Sequence, residues 1–67
     1  MNWKQYEGKR LLEEAKVTLS ECIYDLERGV NLFKDKMSEE DILMLQTIFV
    51  ALNRNADILE DVLSKYL

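Results

Sequence analysis

Residues 38–67, SEEDILMLQTIFVALNRNADILEDVLSKYL, decide the fold. Ser38 is followed by Glu39, Glu40 and Asp41. That order is a helix start, because a serine oxygen caps free backbone N–H groups and carboxylates offset the positive end of the helix dipole. Ile42, Leu45, Phe49, Leu52, Ala56, Leu59, Leu63 and Tyr66 then recur at alternating steps of three and four. This is the a and d pattern of a heptad, the seam that one helix presents to another. A helix of this kind is predicted over about 39–66, and it needs a partner.

The chain upstream supplies one. Asn2 with Gln5 three residues later forms a capping-box pattern, so a first helix is predicted from about Trp3 to about Asp35. Leu12, Ala15, Leu19, Cys22, Leu26, Gly29 and Phe33 mark its seam, while Glu13, Glu14, Glu21, Asp25, Glu27 and Arg28 mostly occupy the other sides. Gly8 and Gly29 are its weak points, since glycine inside a helix costs roughly 1 kcal/mol relative to alanine. The turn is predicted at about 36–38. Met37 before the cap and Ile42 after it are spaced as a hydrophobic staple. A connection this short makes the helices antiparallel neighbours.

The two seams agree when the hairpin is closed about Met37. Phe33 then faces Ile42, Leu26 faces Phe49, Leu19 faces Ala56 and Leu12 faces Leu63, with Gly29 near Leu45, Cys22 near Leu52 and Ala15 near Leu59. Small residues meet large ones, as interdigitated layers require.

More apolar residues remain than two helices can hide from each other. Ile23 and Val30 flank the first seam, with Leu11 and Leu32 on its other side. Leu43, Met44, Ile48, Val50, Ala51, Ile58 and Val62 surround the second. Large exposed apolar patches mark interaction surfaces, and a chain of 67 residues buries little of itself. The expected solution is a homodimer, two hairpins forming an all-α four-helix bundle. Ile23, Val30, Met44, Ile48, Ala51, Asn55 and Val62 are its candidate interface. Asn55, or Asn53 beside it, is placed to fix register, as a single buried asparagine does in coiled coils. Trp3, Tyr6 and Tyr66 are expected together at the open end of the hairpin, as a partner surface or a closure of the bundle.

No pattern for chemistry is present. Cys22 is the only cysteine and histidine is absent, so an internal disulfide is impossible and a zinc site of the usual kind is not expected. Glu13/Glu14, Glu39/Glu40/Asp41 and Glu60/Asp61 are paired acids without the histidines of a di-iron bundle. Neither an apolar signal segment nor an uncharged apolar run long enough to span a bilayer is read, which makes the cytoplasm the expected compartment. Thirteen acidic against nine basic side chains give a net charge of −4, which opposes general attraction to phosphate backbones.

These readings predict a non-enzymatic regulatory or adaptor protein, without cofactor, metal or small-molecule substrate, that binds itself and another protein. There are two alternatives. In architecture alone, a dimeric hairpin resembles the Rop type of plasmid copy-number protein, which implies RNA or DNA binding, here through Lys4, Lys9, Arg10 and Lys16. The other is a subunit that folds fully only inside a hetero-oligomer.

Overall fold

The computed structural model describes residues 2–67. They form two helices, α1 over Trp3–Phe33 and α2 over Glu39–Leu63, joined by one 3-10 turn over Lys34–Lys36. The chain folds back on itself as an antiparallel hairpin measuring 51 × 17 × 12 Å, two helices wide and one deep. The described residues include no strand.

Both starts are made by side-chain caps. The Asn2 carboxamide oxygen accepts a hydrogen bond from the Gln5 amide at 2.9 Å, and the Ser38 hydroxyl accepts one from the Asp41 amide at 3.1 Å. Met37 and Ile42, on either side of the second cap, are both half-buried, as a staple requires. α1 stops two residues before the expected end because the backbone tightens after Phe33, where the Met37 amide bonds the Lys34 carbonyl at 3.1 Å. α2 likewise ends at Leu63 rather than near Tyr66. There the amides of Lys65 and Tyr66 bond carbonyls three residues back, and the Ser64 hydroxyl bonds the Asp61 carbonyl. α1 runs unbroken through Gly8 and Gly29.

The α2 seam is the one its spacing prescribes. Ile42, Leu45, Phe49, Leu52, Ala56 and Leu59 are half-buried and Leu63 is 6% exposed, whereas Tyr66 lies beyond the helix and outside the seam.

The α1 seam differs from expectation. Leu19 and Leu26 point inward as predicted, but the positions between and beyond them are taken by Ile23, 8% exposed, and half-buried Val30. Cys22 and Gly29 face solvent, as do Leu12, Ala15 and Phe33. Leu19 and Leu26 belong to two heptad frames, one completed by Cys22 and Gly29, the other by Ile23 and Val30. The second buries more apolar surface for a rotation of only part of a turn, and burial scales with apolar area.

Candidate interaction surface

A residue advances about 100° around a helix axis, so each helix has an inner seam and two flanks. Two grooves show which flanks lie together. One is lined by Lys16 and Ser20 of α1 with Asn53, Asp57 and Glu60 of α2, and the Lys16 Nζ reaches the Glu60 carboxylate at 4.0 Å. The other, nearer the turn, has Glu27 and Asn31 opposite Gln46. These residues make one broad face of the hairpin polar.

The reverse face is apolar. On α2 it carries Met44, Ile48, Ala51, Asn55, Ile58 and Val62, spaced four, three, four, three and four, all facing solvent. This is a second heptad stripe beside the one already packed against α1, with Asn55 its only polar member. On α1 the same face carries Leu11, Ala15, Thr18, Cys22, Asp25 and Gly29, again at four-three spacing and again solvent-facing, with Asp25 its one charged member. A β-carbon added at Gly29 would meet nothing within 4 Å, so the surface there is open.

The expected interface residues therefore separate. Met44, Ile48, Ala51, Asn55 and Val62 share the apolar face. Ile23 and Val30 do not, because they fill the seam inside the hairpin. Trp3 is 73% and Tyr66 78% exposed, and the helical positions of Trp3 and Tyr6 turn them to the side of α1 away from α2. They do not assemble with Tyr66 into the expected end cluster. Thr18 and Ile58 were not among the candidates. The signal that finds them is the second four-three stripe, which a count of leftover hydrophobes passes over.

The basic residues also separate. By helical position Lys4 lies toward the apolar face, Lys9 and Lys16 lie on the polar face, and Arg10 sits on the outer side of α1. Arg10 hydrogen-bonds the Glu7 carboxylate and donates to Glu14 at 3.1 Å. The hydrogen bond from Arg10 holds the Glu7 carboxyl below the usual carboxylate range, with the guanidinium's positive charge adding to the effect. Among the described residues no group of three or more cysteine or carboxylate side chains is arranged to hold a metal ion.

The two stripes account for another property of α2. It contains an 18-residue window of mean hydropathy 1.2, enough to cross a membrane by length and composition alone. One stripe is spent on α1 and the other faces outward.

No family model, curated protein or solved structure matches this chain.

Proposed function

We propose that the chain is a small non-enzymatic regulatory or adaptor protein acting through protein–protein contact, and that its first partner is a second copy of itself. Two hairpins lay their apolar faces together and form a four-helix bundle, leaving the polar faces outward.

The observation that supports this most is the excess of exposed surface on a chain that carries an unpartnered apolar face. The chain exposes 5754 Å², where a compact folded monomer of its mass exposes about 4,400 Å². A stable interface takes about 800 Å² from each partner, so the excess of about 1,300 Å² is ample. Only Ile23 and Leu63 are buried within the described chain, which leaves a lone hairpin with little to hold it.

The nucleic-acid alternative draws less support. Its four basic side chains lie on different sides of α1, and Arg10 and Lys16 stand beside carboxylates. A phosphate-binding surface needs its cations on one side and available.

Sedimentation of two single variants tests the proposal. Ile48→Glu puts a charge on the apolar face at a residue already 48% exposed. Val50→Glu puts the same charge on the far side of α2, so it serves as control. The expected result is a dimer for the natural chain and for Val50→Glu, and loss of the dimer for Ile48→Glu. A natural chain that stays monomeric, or that leaves solution for lipid vesicles through this face, would overturn the reading.

A further inference from the structure

We infer that the second copy docks with its turn at the same end, each α1 seated against the partner subunit's α2, about a two-fold axis parallel to the helices. This rests on the self-association proposed above and adds the arrangement. A two-fold dimer through this face has two simple forms. In one, the axis runs along the helices and α1 meets the other copy's α2. In the other, the axis crosses the helices, so that like meets like and the turns lie at opposite ends.

Three properties of the face bear on the choice, and charge decides it. The first is polarity. Thr18 and Asn55 are the uncharged polar members of the two stripes, and the hairpin's own register, with Lys16 level with Glu60, puts them within about one helical turn of the same height. With the turns together, the partner subunit's Asn55 meets the Thr18 hydroxyl and finds a hydrogen-bonding group. Burying an amide without a partner is unfavourable. With the turns apart and the centre near Cys22, which is level with residue 54 of α2, Asn55 falls between Ala51 and Asn55 of the other copy, so polarity alone does not choose.

Charge is the second. α1 carries Glu21 and Asp25 at mid-length on its outer side, neither in an ion pair among the described residues, and α2 carries unpaired Arg54 at nearly the same height. Turns together bring these acids toward the partner subunit's Arg54. Turns apart gather four carboxylates of the two α1 helices around the axis, and like charges held close disfavour docking.

Size is the third, and it agrees. By the same register Ala15 comes level with Val62 and Gly29 with Ile48, small against large, while Cys22 lies between Ala51 and Asn55. A shallow hollow bordered by Thr18, Glu21, Cys22 and Asp25 opens on this part of α1. Seating large on small keeps the helices evenly spaced, whereas like on like makes one pair tight and the other wide.

Electron–electron distance measurement on Cys22→Ser/Lys36→Cys carrying a spin label at the turn decides between them. Neighbouring helices pack 8–10 Å apart, so turns at the same end should give label distances below roughly 25 Å. Distances near the 51 Å length of the hairpin in a sample of dimer mass would overturn the arrangement while leaving self-association standing. Monomer mass would overturn self-association itself. The natural Cys22 supplies a second readout. Turns together place the two copies of Cys22 on diagonally opposed helices, with axes about 11–14 Å apart and α-carbons roughly 7–10 Å apart, at or beyond the ~7 Å limit for bridging. No covalent dimer is expected on mild oxidation of the folded protein; rapid and complete cross-linking through Cys22 would contradict the proposal.

Discussion

Lys16 of α1 stands 4.0 Å from Glu60 of α2, the one ion pair among the described residues that crosses the hairpin. The pair fixes which residues share a height and which face is polar. Its energetic weight is small, since both side chains are largely in solvent and exposed ion pairs contribute about 0–1 kcal/mol. Glu60→Ala should therefore lower the free energy of chemical unfolding by less than about 1 kcal/mol and leave the sedimented mass unchanged. A large loss would mean that the polar face is not solvent-facing in the assembled protein.

The corrected α1 seam makes a sharper forecast. Ile23 is 8% exposed and its neighbour Cys22 faces solvent. Ile23→Ala should destabilise the fold by about 2–4 kcal/mol, as removal of a packed aliphatic side chain does. Phe49→Asp strands a charge in the seam between α1 and α2 and should unfold the chain outright. Urea titration of the Ile23 variant and far-ultraviolet circular dichroism of the Phe49 variant check both outcomes. Unchanged curves would refute the seam.

Caps and glycines give changes of opposite sign. Ser38→Ala removes the oxygen that accepts from the Asp41 amide and should cost about 1 kcal/mol. Gly8 lies inside α1, where an added β-carbon meets nothing within 4 Å. Gly8→Ala should stabilise by about 0.5–1 kcal/mol. Gly29→Ala should raise helical content similarly but weaken association, because Gly29 lies on the proposed docking face. Melting curves paired with sedimentation separate the helix effect from the docking effect.

Cys22 reports on that face without any substitution. In the single chain its thiol is exposed, whereas in the proposed bundle it is covered. Its modification by a disulfide reagent should be fast at protein concentrations well below the dimer dissociation constant and slow by roughly tenfold or more well above it. A rate independent of protein concentration would show that the face stays open.

How much of this could be read beforehand differs between the two helices. The α2 seam was legible because Ser38 and the acids after it set the start, and Leu45, Phe49, Leu52 and Leu59 leave one inner stripe that meets α1. α1 was ambiguous, since Leu19 and Leu26 fit two frames. Matching small residues to large favoured Cys22 and Gly29, but the larger area of Ile23 and Val30 prevailed. The leftover apolar residues were visible as a surplus. Their arrangement as a second stripe on the face that also holds Cys22 and Gly29 was not, because it depends on the rotation of both helices about their axes. The expected cluster of Trp3, Tyr6 and Tyr66 failed for the same reason, since nearness to one end of a hairpin does not put side chains on the same side of it.

Thermal unfolding of the natural chain, followed by helical signal over a hundredfold range of concentration, tests most directly whether the chain owes its fold to a second copy. A midpoint that climbs steadily with concentration, at twice the 7.9 kDa chain mass, is the predicted result, because partners that bind only the folded form stabilise it by mass action. A midpoint that does not move, from a fully helical species of single-chain mass, would contradict it.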